Sequence, residues 1–189
     1  VNSHTIEEIF ELAKPFIPHE NNAQLLNAFP DLLLVAEFLY FVNVIDDSQN
    51  VNFTFEEIGE ISVQAVSAQI FSQTNFTNLL ESLQIELPLY LQSNSYYWYT
   101  YIAEKQTLYF QYNSCRENPE QSFNSFNQDL FSFISNNTID KLVLDVRNNG
   151  GGNSIIFRPF INQISQNSAL NKNGHLFTIV GRKTFSSAI

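Results

Sequence analysis

The sequence predicts an α/β fold, with parallel strands and crossover helices in its C-terminal half and a mainly helical N-terminal segment before them. Three observations carry that expectation. From residue 96 onward the patterns run β, β, α, β, α, β, and alternation of this kind calls for parallel strands joined by helices. Lys141–Val146 (KLVLDV) and Leu176–Val180 (LFTIV) are short apolar runs of the type buried in parallel sheets. Upstream, apolar residues recur mostly at helical spacing. Residues 1–93 therefore read as a pre-domain with short strands, and 94–189 as the N-terminal part of a second domain.

Thr5–Leu12 (TIEEIFEL) carries acidic residues in its first turn and stops before Pro15, as a helix would. Asn22–Phe29 and Pro30–Phe41 read as two more helices, the second opened by Pro30 and Asp31. Asp46-Asp47-Ser48 breaks the run. Val51–Phe55 (VNFTF) and Ile61–Val66 (ISVQAV) alternate apolar and polar residues and read as strands, with Gly59 near the turn between them. Asn75–Leu83 reads as an exposed helix, followed by a loop at Pro88. Tyr96–Ile102 (YYWYTYI) and Thr107–Tyr112 (TLYFQY) are aromatic and β-rich, and the four residues Ala103–Gln106 between them suit a hairpin. Phe123–Ile134 sets Phe123, Phe126, Leu130, Phe131, Phe133 and Ile134 largely on one helical face. Asn153–Ile164 reads as a further helix, and Asn171–Gly174 as the turn into the last strand.

Composition excludes several classes of function. Hydrophobic residues make up 44% of the chain, enough to fill a core. Nineteen Asp and Glu against nine Lys and Arg give a net charge of −10, which repels phosphate backbones and argues against general nucleic-acid binding. The single cysteine, Cys115, cannot close an internal disulfide. His4, His19 and His175 have no metal-ligand spacing, so no metal site is expected, and no motif calls for a cofactor. The longest apolar stretch, Leu32–Ile45, is interrupted by Glu37 and Asn43 and is shorter than the roughly 20 residues of a spanning helix. No signal-peptide pattern opens the chain. The sequons at Asn52, Asn75 and Asn136 follow from the abundance of Asn.

Chemistry has two places to reside. The first is Asp145-Val146-Arg147-Asn148-Asn149-Gly150-Gly151-Gly152-Asn153, at the end of a strand. Three consecutive glycines let the backbone approach a ligand and aim its N–H groups outward, toward a phosphate or an oxyanion. Neither phosphate-loop pattern is matched, and a tight βα turn needing positive φ is an equally good account of the glycines. Asp145, Arg147 and Asn149 are expected to support the loop through hydrogen bonds and an ion pair. The second place is Gly181-Arg182-Lys183-Thr184-Phe185-Ser186-Ser187-Ala188, directly after the last strand. A serine at such a turn can expose its hydroxyl at the sheet edge, or it can simply cap a helix. Side by side in one parallel sheet, the two segments would set a glycine-rich amide loop opposite a turn serine, which is what acyl transfer needs.

These two strings also carry a resemblance. Lys141–Gly152 (KLVLDVRNNGGG) resembles the D-[LV]-R-x-N-x-G-G segment of the S41 serine peptidases, the tail-specific or C-terminal processing proteases, and Val180–Ala188 (VGRKTFSSA) resembles the segment holding their nucleophile. The likeness covers roughly residues 94–189, and the Thr107–Tyr112 hairpin resembles the strand entering the family's core. It implies a ClpP/crotonase-like catalytic core and hydrolysis of peptide or protein substrates through an acyl-enzyme. Carried over by position, Ser186 is the nucleophile, Ser187 gives a backbone N–H to the oxyanion hole, and Gly151 or Gly152 gives the other. Ser187 as nucleophile is the alternative register. Family members are exported, which sets the expectation for location.

Some family features have no counterpart in these residues. The tail-specific lysine base lies downstream of the serine, beyond Ile189, and the histidine of tricorn-like members has no match in Phe110-Gln111-Tyr112-Asn113. His175 is expected about a strand length, roughly 17–20 Å, from Ser186. Lys183 is expected to point elsewhere, so the general base is unassigned. Upstream there is no GLG-type carboxylate-binding loop. The chain starts without Met and ends inside the serine motif. Both ends are accordingly expected to be cut, and the catalytic domain to be incomplete at its C-terminus and inactive alone. The rival expectation is a non-catalytic protein binding a peptide or apolar ligand on the same scaffold, and a weaker one makes residues 1–92 a partner-docking module.

Overall fold

In the computed structural model, which describes residues 1–67, 70, 86–92 and 95–189, the C-terminal half is built on a four-stranded sheet. Its strands are β3 (Tyr97–Ile102), β4 (Thr107–Tyr112), β5 (Lys141–Asp145) and β6 (Leu176–Ile179), in the spatial order β3-β4-β5-β6. β3 and β4 form the expected antiparallel hairpin, closed by a 3₁₀ turn at Ala103–Lys105 and by Gln106 at φ +45°. β4–β5 and β5–β6 are parallel, so the sheet is mixed rather than wholly parallel. The glycine-loop strand and the serine-turn strand are immediate neighbours, with Leu142 opposite Leu176 and Asp145 opposite Ile179.

The crossovers are α4 (Phe123–Asn136), between β4 and β5, and α5 (Arg158–Gln166), between β5 and β6. Because the strand order follows chain order, right-handed crossovers put both helices on one face. The core there joins Leu108, Phe110 and Tyr112 of β4 and Leu142 and Leu144 of β5 to Phe123, Phe126, Leu130 and Ile134 of α4 and to Phe160 and Ile164 of α5. The Tyr112 ring stacks on Phe157 at 4.4 Å, and Phe157 on Phe160 at 4.8 Å. All six β4 residues are buried, which marks β4 as the strand covered on both faces. β6, expected from its apolar run to be buried, is instead the edge strand of the sheet, with Phe177 and the adjoining Val180 exposed. Ser122 caps α4 by accepting the Ser125 N–H. Asn153 does not open an α-helix directly: a 3₁₀ turn at Ser154–Phe157 comes first, and α5 begins at Arg158.

The chain divides into two compact units, Val1–Gln84 and Ile85–Ile189. Residues 86–92 go with the second, although the sequence pattern changes only at about Tyr96, and Tyr90 is bonded to that unit's sheet. In the first unit, α1 (Ile6–Ala13) starts at a Thr5–Glu8 capping box, as its acidic first turn suggests. α2 (Asn22–Leu32) runs through Pro30, and α3 (Ala36–Phe41) starts later than the sequence implies. Pro30 removes only the N–H that would bond the Leu26 carbonyl, one intrahelical bond two residues before the helix ends. β1 (Asn50–Phe55) and β2 (Gly59–Gln64) make an antiparallel hairpin with Gly59 at φ +85°. Ile9, Leu25, Phe29, Leu39 and Val51 center this unit's core. The expected helix at Asn75–Leu83 lies outside the described residues.

Candidate active site

The loop after β5 and the turn after β6 are in contact along most of their length. Val146 N–H donates to Ile179 O at 2.9 Å, and Phe185 N–H donates to Asn149 O at 3.1 Å. Thr184 is buried between them. Its Oγ1 accepts the Gly181 N–H at 2.8 Å and donates to Val146 O at 2.8 Å. Thr184→Val removes both bonds and leaves the half-buried Gly181 N–H unpaired, while the Val146 carbonyl keeps only its bond from Asn149 N–H. A loss of about 1–3 kcal/mol is expected by chemical denaturation, with Thr184→Ser losing less.

Asp145 and Arg147 hold the start of the loop. Asp145 is fully buried. It accepts from Tyr109 Oη at 2.6 Å and from Arg147 N and Nε, each at 3.0 Å. Arg147 Nε also lies 2.8 Å from the second carboxylate oxygen, so a buried charge has both its counter-ion and its hydrogen bonds. Burial first, and then the bond to Asp145, push the Tyr109 phenol far above its ordinary range and keep it a neutral donor.

Asn149, also fully buried, is the hub of the loop. Its Nδ2 donates to Tyr112 O at 3.0 Å, and its Oδ1 accepts from Gly151 N at 2.9 Å and from Cys115 Sγ at 3.4 Å. Cys115 further pairs with Gly152 as a single parallel bridge, through Cys115 N to Gly151 O and Asn153 N to Cys115 O. One side chain thus ties the end of β4 to the glycine loop. The Gly151 N–H, one of the two oxyanion donors considered above, is therefore occupied.

The glycines are needed where the loops touch. Gly151 has φ +94°, and a methyl there would lie 2.8 Å from both Phe185 O and Ser186 Cβ. Gly152 has φ +133°, and a methyl there would lie 2.6 Å from Cys115 O. These approaches bring Ser186 and Ser187 against the glycine loop, and Ser187 Oγ donates to Gly152 O at 2.6 Å. Among the described residues, the Gly152 and Ser187 N–H groups have no hydrogen-bond partner.

Ser186 sits at φ +56°, the left-handed region that non-glycine residues rarely occupy. It is exposed, and it lies in a short 3₁₀ turn, Ser186–Ala188, that has no side-chain cap. The serine hydroxyl therefore does not serve as a helix cap. No side chain among the described residues is hydrogen-bonded to it. His175 is at the opposite end of β6, with Nδ1 2.6 Å from Asp140 O, and Lys183 is exposed beside the turn.

Sequence reasoning missed Thr184, Cys115 and Tyr109. For Thr184 the signal was the G-x-x-T spacing of a side-chain-closed turn; Cys115 and Tyr109 act through partners far along the chain and leave no local pattern. Among the described residues no cluster of three or more His, Cys, Asp or Glu could hold a metal ion, and no helix is long and apolar enough to cross a membrane.

No family model and no curated protein matches the chain. Among solved structures it is similar to a crystal structure from Parabacteroides merdae ATCC 43184 of a protein proposed to be a peptidase. The identity is 14% and the TM-score 0.31, over 86% of this chain and 45% of that one. The likeness is distant, and this chain spans less than half the length of that protein.

Proposed function

We propose that the second unit is a serine-type acyl-transfer site of the S41 kind, on a ClpP/crotonase-like core, acting on peptide bonds with Ser186 as nucleophile. The observation that carries the reading is the state of Ser186: exposed, uncapped, held at φ +56° against a glycine loop, and next to two backbone N–H groups without partners. Strain of this sort persists where surrounding contacts over-determine it, and it concentrates at functional sites.

In this mechanism Ser186 Oγ attacks the peptide carbonyl carbon and its proton passes to a general base. The carbonyl oxygen becomes an oxyanion that accepts from Gly152 N–H and Ser187 N–H. Collapse breaks the C–N bond, the base returns the proton to the leaving amine, and water then hydrolyses the ester on Ser186. Gly152 takes the donor role in preference to Gly151, whose N–H is bonded to Asn149. Ser187 serves through its backbone, since its hydroxyl is bonded to the Gly152 carbonyl. Asp145, Arg147 and Asn149 keep the loop in shape. Each oxyanion donor is worth roughly 100- to 1,000-fold in rate.

The second reading is a peptide-binding protein on the same scaffold, favored by the lack of a side chain bonded to Ser186 Oγ among the described residues. The polypeptide as its gene encodes it, incubated with an unstructured protein substrate, distinguishes the two. New amino termini, absent in Ser186→Ala, support the peptidase; saturable peptide binding with no new termini supports the binding protein.

A further inference from the structure

Tyr90 has no part in the chemistry above, yet it is held at two points against the strands that carry the site. Its main-chain oxygen accepts from Gln111 Nε2 at 3.1 Å, and the Arg147 guanidinium lies 4.3 Å from its ring center. Gln111 is fully buried, and its Oε1 accepts from Trp98 Nε1 at 2.7 Å. A buried carboxamide is stable when both its ends are hydrogen-bonded, so Gln111 fixes the strap formed by residues 86–92 at one height on the sheet. That height is set by register: Gln111 stands opposite Asp145.

Beyond Arg147 the contacts continue to the serine turn. The Arg147 side chain and N–H are bonded to Asp145. Gly181 opens the turn and rests on the Arg147 backbone so closely that a methyl on it would lie 2.8 Å from Arg147 Cβ and 2.9 Å from Arg147 O. Gly181 N–H is in turn bonded to Thr184. The strap, Arg147, Gly181 and the Ser186 turn are thus linked by contacts with little slack.

We propose that Tyr90 is a positioning residue for the Ser186 turn. Its ring holds the Arg147 guanidinium, Arg147 seats Gly181, and docking of the strap sets how tightly the turn is held. The consequence for catalysis rests on the proposed function; the coupling itself does not. The strap is also the stretch by which the chain enters this unit, so a force or partner acting on it would be felt at Ser186.

Amide hydrogen exchange tests this in the whole chain. The turn is reported by the N–H groups of Gly181, Thr184 and Phe185, and the sheet by Leu142 N–H, bonded to His175 O. In Tyr90→Ala the turn amides are expected to exchange roughly 3- to 10-fold faster while Leu142 keeps its rate, and Tyr90→Phe, which retains the ring, restores the turn. Tyr90→Leu makes the same comparison should the alanine variant fail to fold. Unchanged turn amides, an equal acceleration of turn and sheet, or no rescue by phenylalanine would overturn the coupling. A fluorophosphonate label, with the same substitutions made in the polypeptide as its gene encodes it, keeps the two proposals apart. A loosened turn in a protein whose wild type takes no label leaves the coupling standing and removes the acyl-transfer reading.

Discussion

Alanine at Gly152 is expected to lower the stability of the second unit by about 2–5 kcal/mol, and alanine at Gly151 by a similar amount. Two costs add at each position. The backbone is in the positive-φ region, which a side chain makes unfavorable by about 1–2 kcal/mol. The added methyl also meets main-chain atoms, Cys115 O at 2.6 Å for Gly152 and Phe185 O at 2.8 Å for Gly151, and overpacking of this kind typically costs about 1–3 kcal/mol. Neither obstacle is the far end of a flexible side chain, so relief requires the glycine loop to part from the serine turn at Gly151 and from the Cys115 backbone at Gly152. Gly150 is the internal control. A methyl there meets nothing within 4 Å, so Gly150→Ala should change stability by less than about 0.5 kcal/mol. Chemical denaturation of the three variants checks this, and equal effects at all three positions would contradict the loop contact described here.

Ser186→Ala is expected to abolish turnover while leaving stability within about 1 kcal/mol, because the hydroxyl caps nothing. Ser186→Gly goes further. Relieving a non-glycine residue at φ +56° is expected to raise stability by about 0.5–1 kcal/mol as activity is lost. A gain in stability with loss of reaction is the signature of strain kept for function. Ser187→Ala should behave differently: it loses the bond to Gly152 O but keeps the backbone donor, so activity falls without vanishing. Denaturation and peptide cleavage, measured on the same preparations, separate the three variants.

Much of this architecture is legible in the sequence, and the reasons are physical. KLVLDV and LFTIV read as strands because both are short apolar runs, and their adjacency follows from the rule for crossovers. The burial the pattern implies holds for KLVLDV, an inner strand, and not for LFTIV, an edge strand with Phe177 and Val180 exposed. The glycine loop and serine turn are legible because each needs residue types that few other structures require. What is not legible depends on partners distant in sequence. Cys115 matters because its backbone meets Gly152, and Gln111 because Trp98 and Tyr90 take its two ends. Nothing near either residue announces this. The helix boundary at Pro30 misleads because proline usually opens a helix, and here it lies in the last turn of one instead. Gly151 and Gly152 are equivalent in the sequence; only the Asn149 bond to Gly151 N–H distinguishes them.

The central claim is that Ser186 is an activated nucleophile, and mapping a covalent adduct tests it most directly. The polypeptide as its gene encodes it is exposed to a fluorophosphonate, digested with trypsin and sequenced by mass spectrometry. Attack by Oγ on phosphorus expels fluoride and leaves a stable phosphonyl ester. The account predicts one adduct, on the peptide that begins after Lys183, with fragmentation assigning it to Ser186. An adduct on Ser187, or a folded protein that takes no label at this turn, would contradict it.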